Sequence, residues 1–327
     1  MKDEKRVRIR WRGLGMAACI IAGCAYICSG FSRDLFSKDI NEIVEVHGSF
    51  LNSDGYVEQI EDSTSPWTLE NGQEETAAAP AADGVKYVGY SELSLDRSNL
   101  AKGALALADE EHPSDILSGN QLVDVEGFSN EFYTAMSGIY LRRDTAEALN
   151  RLMAGYNKAT GLSDFVVYST TEESDDYSSM CPRVFEESKA GYTVDLALYG
   201  YGSLITYDGK DRESWIIEHC HEYGFIVRYP QGKEDKTGQK YCPWHLRYVG
   251  DLHAVIMHDK DLCLEEYIDY MKEYTFEEPF ECSLNGSGRM IYCVPAEGNS
   301  TVVHVPRSEG YEISGDNRDT YIITARK

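Results

Sequence analysis

Basic residues are scarce in this chain once its first dozen positions are passed. Residues 1–12 hold six Lys or Arg against two acidic residues, whereas the remaining 315 hold 25 against 53, which leaves that part near −28. Nucleic-acid binding depends on neutralising phosphates, and binding to anionic lipid on a basic face, so both are excluded as the work of this surface. Long apolar runs are lacking as well, with one exception. Gly13–Phe31 is uncharged and mostly apolar over 19 residues; as a helix it would reach about 28 Å, enough for the hydrocarbon core of a bilayer. The basic tail at 1–12 then stays cytoplasmic, and everything after Ser32 is expected outside the plasma membrane. A lipoprotein signal is the second reading, because Ile21-Ala22-Gly23-Cys24 fits a lipobox with Cys24 as the lipidated residue. The apolar stretch runs on through Cys28, which favours a retained anchor over cleavage.

Three of the nine cysteines, Cys19, Cys24 and Cys28, lie in that apolar run. The six outside it are Cys181, Cys220, Cys242, Cys263, Cys282 and Cys293, and six cysteines allow 15 pairings. Cys282 and Cys293 flank the turn residues Leu284-Asn285-Gly286-Ser287-Gly288 and are placed to bridge a hairpin. Residues 32–84 are acidic and poor in pattern, and the run Glu74–Asp83 reads as a flexible tether.

From about Val85 the pattern becomes that of a folded domain. Asn99–Leu107 reads as a strand. Asp144–Thr160 is helical by the spacing of Ala148, Leu149, Leu152, Met153 and Tyr156, with Asp144 as N-cap and Gly161 ending it. Phe165–Ser169 and Tyr192–Tyr199 read as buried strands, Ser214–Tyr223 as a helix stopped by Gly224, Phe225–Arg228 as a strand and Leu262–Glu273 as a helix. After Phe276 the alternating runs Met290–Val294, Thr301–Val305 and Tyr321–Thr324 give short strands separated by Gly, Asn and Pro turns. His219 and His221 lie two apart on one helix and face different sides, so they do not chelate together. His253 reads as a packing or hydrogen-bonding residue.

The chemistry is concentrated in two segments. In one, Cys242-Pro243-Trp244-His245 is followed by LRYVG; in the other, Ser188, Gly191 and Asp195 stand at offsets of zero, three and seven. Together with TYDGKDRESWIIEHCHEYGFIVRYP at 206–230, His253-Ala254 and LCLEEYI from Leu262, these segments resemble the VanY-type zinc D-alanyl-D-alanine carboxypeptidases. Those enzymes trim the last D-alanine from peptidoglycan stem peptides. The resemblance covers roughly residues 85–275.

In that family E-x-W-H supplies a general base and a zinc ligand, and S-x-H-x-x-G-x-A-x-D supplies the other two ligands. The resemblance thus implies that Asp195 and His245 are the remaining ligand positions, that Ser188 stands where a ligand His belongs, and that Cys242 stands where the base Glu belongs. A family strand ending in S-G-Y-R matches here as far as Ser169 and then places Glu172 at the Arg position. Trp244, Ser169 and Gly191 are implied to line the substrate cleft.

These replacements bear on the chemistry directly. A catalytic zinc needs three protein ligands and an open water position, and a neutral serine hydroxyl is a poor donor. General acid–base catalysis is typically worth ~10²–10⁴-fold. Glu172 would add repulsion where the transition state gathers negative charge. Two rescues for Cys242 are open: a Cys242–Asp195–His245 zinc site, since thiolate is a good zinc donor, or a nucleophilic thiolate assisted by His245. Strand alternation points the last pair apart.

The resemblance implies an α+β fold, a small antiparallel sheet with flanking helices over residues 85–275, followed by a β appendage at 276–327. The expected function is that of a cell-wall protein, catalytically degenerate with zinc lost or weak, binding peptidoglycan stem peptides or a wall-enzyme partner. A working zinc carboxypeptidase with an altered ligand set and a docking protein that binds no peptide are the alternatives.

Overall fold

The computed structural model describes residues 89–108, 112–113, 122–128, 131–135, 137–168, 187–200, 202–307 and 310–326. The basic tail, the apolar run with Cys24 and the acidic tether lie outside the described residues, as do Ser169, Glu172 and Cys181. Among the described residues no helix is long and apolar enough to cross a membrane.

Among the described residues, fourteen strands and four α-helices of five residues or more make up the fold. The central sheet takes β3 (Tyr133–Thr134), β5 (Phe165–Val167), β6 (Thr193–Gly200), β9 (His245–Tyr248) and β8 (Phe225–Val227) in that spatial order, with β7 (Ser203–Thr206) paired to the far end of β6. It is antiparallel apart from the parallel pair β3–β5, a departure from the expected all-antiparallel sheet. A two-stranded ribbon, β2 (Leu122–Asp124) with β4 (Tyr140–Arg142), stands beside it.

Helix α1 (Arg143–Thr160) covers the sheet because Ala148, Leu149, Leu152, Met153 and Tyr156 recur on one face and bury against Phe165, Val167, Val194, Leu196, Phe225 and Leu246. Gly161, at φ +74°, ends it as expected. Its N-cap is Arg142, not Asp144, whose carboxylate instead accepts from the Thr145 amide inside the first turn. The next helix, α2 (Trp215–His219), runs into a 3-10 turn at Cys220–Tyr223 that Gly224 stops at φ +84°.

Helices α3 (Asp251–Asp259) and α4 (Leu264–Met271) form the next layer. They lean on a four-stranded antiparallel sheet, β10 (Phe280–Leu284), β11 (Ser287–Pro295), β14 (Thr320–Arg326) and β13 (Tyr311–Gly315). Alternation along β11 and β14 buries both faces of this sheet. Ile291, Cys293 and Ile322 pack toward the helices, while Met290, Tyr292, Tyr321 and Ile323 pack toward the ribbon of β1 (Tyr90–Asp96) and β12 (Ser300–Pro306). Residues 276–327, expected as an appendage, therefore share cores with the helices and with β1.

The strand expected at Asn99–Leu107 is not formed. Arg97–Ala101 is a 3-10 turn and the strand lies just before it, at β1. The following loop cannot join a ladder: Gly103 sits at φ +109° with Ser314 closely packed against it, and the Ala104 and Ala106 carbonyls are taken by a buried arginine from β9.

Candidate active site

Register builds the site. In the β6–β9 pair Asp195 lies directly opposite His245, so both side chains stand on one face at the closest approach that a sheet offers. His245 Nδ1 is 2.6 Å from Asp195 Oδ1, and both groups are buried. The turn before β6 adds a third member: Glu187 Oε2 lies 3.4 Å from His245 Nε2. Carboxylate oxygens accept only, so an imidazole facing one at each nitrogen must donate from both and carries a proton on each.

Two guanidiniums complete the network. Glu187 Oε1 accepts from Arg228 Nε at 2.6 Å and from Arg247 Nη1 at 3.0 Å. Arg228, just after β8, also forks onto Glu265 of α4 at 3.1 and 2.8 Å. Arg247 stands two residues beyond His245 on β9 and shares its face; its Nη2 donates to the Ala104 and Ala106 carbonyls at 3.0 and 2.6 Å. Tyr229 lies parallel to the imidazole, with ring centroids 5.5 Å apart, and Arg228 covers the Tyr229 ring.

Among the described residues, three carboxylates thus face two guanidiniums and one imidazolium. Burial alone would push the His245 pKa down, but the charge and hydrogen bond of Asp195, followed by those of Glu187, lift it to about 9. For Glu187 burial pushes upward, yet Arg228 and then Arg247 hold it well below the ordinary carboxylate range.

Ser188 is buried, and its Oγ accepts from Thr193 Oγ1 at 3.3 Å. Gly191, at φ +72°, leaves no room for a side chain: a Cβ would stand 2.8 Å from Leu122 Cδ2 and 3.1 Å from the Arg142 amide nitrogen. Trp244 is half-buried against Tyr229 and Cys242, and its carbonyl accepts from the Leu196 amide.

Cys242 is buried and disulfide-bonded. Both rescues, zinc ligand and nucleophile, need a thiolate there and are set aside. Cys220, Cys263, Cys282 and Cys293 are free thiols. The expected Cys282–Cys293 bridge is therefore absent, because the strand register sets Cys282 opposite Arg289 and Cys293 opposite Ile322. Burial pushes the thiols of Cys220, Cys263 and Cys293 up to about 12, which leaves them unreactive. His253 is buried and hydrogen-bonded, as expected: Nδ1 to the Tyr267 hydroxyl and Nε2 to Thr324 Oγ1.

Glu187, Arg228, Arg247 and Glu265 were not anticipated as site residues. One signal was present, since Arg247 follows His245 by two on a strand and must share its face.

The chain is 32% identical over 249 residues to a D-alanyl-D-alanine carboxypeptidase of Enterococcus faecium, spanning 71% of this chain and 78% of that one. The chain belongs to the VanY D-alanyl-D-alanine carboxypeptidase family. The VanY family model itself, described as D-alanyl-D-alanine carboxypeptidase, matches residues 171–251. The bifunctional D-Ala-D-Ala dipeptidase and carboxypeptidase VanXYC of Enterococcus gallinarum is 49% identical over 129 residues, 38% of this chain and 68% of that protein. The fold is shared with the vancomycin-resistance D,D-dipeptidase VanXYg, solved with a D-Ala-D-Ala phosphinate analogue, at a TM-score of 0.62 and 24% identity over 73% of this chain and 99% of that one. The VanY likeness covers both segments that carry the site.

Proposed function

We propose that this VanY-family protein does not hydrolyse peptides, and that it works outside the membrane by engaging D-alanine-ended peptidoglycan stem peptides or a wall-enzyme partner. The observation that carries the reading is His245 held between Asp195 and Glu187. Ligand atoms sharing a tetrahedral zinc stand ~3.3 Å apart, given bonds of about 2.0–2.2 Å. The 2.6 Å contact between His245 and Asp195 is a direct hydrogen bond instead. An imidazolium offers no lone pair to a metal, Ser188 supplies only a neutral hydroxyl, and Cys242 has no thiolate to offer. The donor set does not fit zinc.

Among the described residues nothing replaces the family base: a disulfide sulfur cannot take a proton from water, and two guanidiniums hold Glu187 well below the ordinary carboxylate range, which makes it a weak base. The stem-peptide ligand class comes from the names of the relatives, and the export from the apolar run at Gly13–Phe31. The test is to equilibrate the purified protein with zinc, then measure bound metal, D-alanine release from a D-Ala-D-Ala-ended pentapeptide, and calorimetric binding of that peptide. Peptide binding with far less than one equivalent of zinc and no release supports the reading. One tightly held zinc with release of D-alanine contradicts it. Absence of both binding and release favours the partner-docking alternative.

A further inference from the structure

Away from the carboxylate–guanidinium network, the end of α4 and the start of β10 bring three aromatic rings together. Tyr270 and Tyr274 have centroids 5.4 Å apart at 74°, Tyr274 and Phe280 5.1 Å at 74°, and Tyr270 and Phe280 6.2 Å at 75°. Three rings, each steeply inclined to the other two, make the walls of a corner and not a stack. The two tyrosine hydroxyls bond to each other at 2.7 Å, which ties the two rings together. All three residues are only half-buried, on the rim of the core between α4 and the second sheet.

The corner already holds a cation. Lys260, an exposed residue just after α3, lays its ammonium 4.8 Å from the Tyr270 centroid and 6.0 Å from that of Phe280. Ring faces attract cations through their quadrupole, most effectively when the cation is poorly hydrated. Exposed Glu273, Glu277, Glu278 and Glu281 flank the rings in sequence and add a negative field that draws cations in.

We infer that Tyr270, Tyr274 and Phe280 form a binding site for an alkylated ammonium group, in which Lys260 sits until the ligand displaces it. Ring faces hold a cation without needing a hydrogen bond to it. That favours a quaternary head group, which is poorly hydrated and loses less on entering the corner than a primary ammonium. The site is separate from the family cleft and does not depend on the proposed function.

The probe is tetramethylammonium, titrated into the full chain, with neutral tert-butanol as a size control and the Tyr274 ring resonances, present in every variant, as the readout. A saturable response to the cation but not to the alcohol is expected. Lys260→Gln, which vacates the corner, should tighten binding by about 2- to 30-fold, and Phe280→Leu should weaken it over the same range. Tyr270→Phe keeps the face and drops the hydroxyl pair, so it should retain binding even if Phe280→Leu folds poorly. No saturable response from Lys260→Gln, or an equal response to tert-butanol, would overturn the assignment.

Discussion

At the scale of single residues, Glu187 decides the character of the site. It receives two guanidiniums and one imidazole nitrogen, so removing its charge leaves three buried cations with only Asp195 and Glu265 to balance them. Breaking a buried ion pair by deleting one partner costs about 3–5 kcal/mol. Glu187→Gln is therefore expected to lower the urea midpoint by a corresponding amount, and an unchanged midpoint would contradict the network. His245 gives a pH signature. Its folded pKa of about 9 lies above the ordinary 6.5, so its contribution is complete below pH 6.5 and is lost as pH rises through 9. Urea midpoints should fall across that window in the wild type and much less in His245→Gln. Asp195 and His245 were legible in the sequence because the spacing of two motifs survives. Glu187, Arg228, Arg247 and Glu265 were not, because charged residues read as solvated surface unless a partner is known, and these partners come from four separate segments. The Cys242 disulfide was hidden for the same reason, since pairing is a matter of three-dimensional register and not of local pattern.

Among elements, the turn into β6 and the packing of α3 on β14 are the sensitive joints. Gly191→Ala would force a left-handed backbone on a residue with a Cβ and press that atom against Leu122 and the Arg142 backbone. A loss of about 1–2 kcal/mol or more is expected from thermal or urea unfolding. His253 of α3 reaches Thr324 of β14 and Tyr267 of α4, and burial lowers its pKa to about 4. A histidine kept neutral by folding but protonated in the unfolded chain destabilises as pH falls. Its contribution is complete above pH 6.5 and is lost toward pH 4, by up to about 3 kcal/mol. His253→Leu should flatten the acid limb between those values. Most helices and strands were readable from periodicity, and glycine marked their ends correctly at Gly161 and Gly224. The loop at 102–107 was misread because its buried Leu105 and Leu107 alternate as a strand would, while its carbonyls serve Arg247 in place of a ladder.

For the whole molecule, the VanY-family frame persists while its centre is held together by internal ion pairs. Restoring single motif residues should therefore not restore chemistry. Ser188→His with Cys242→Glu is expected to gain no stoichiometric zinc, because Glu187 and its two arginines still hold His245; elemental analysis after zinc equilibration checks this. The state of the His245 ring tests the central claim most directly. Long-range proton–nitrogen NMR at neutral pH should show both ring nitrogens protonated, with no change on adding one equivalent of zinc. A single aprotic ring nitrogen whose signal shifts stoichiometrically with zinc would contradict it.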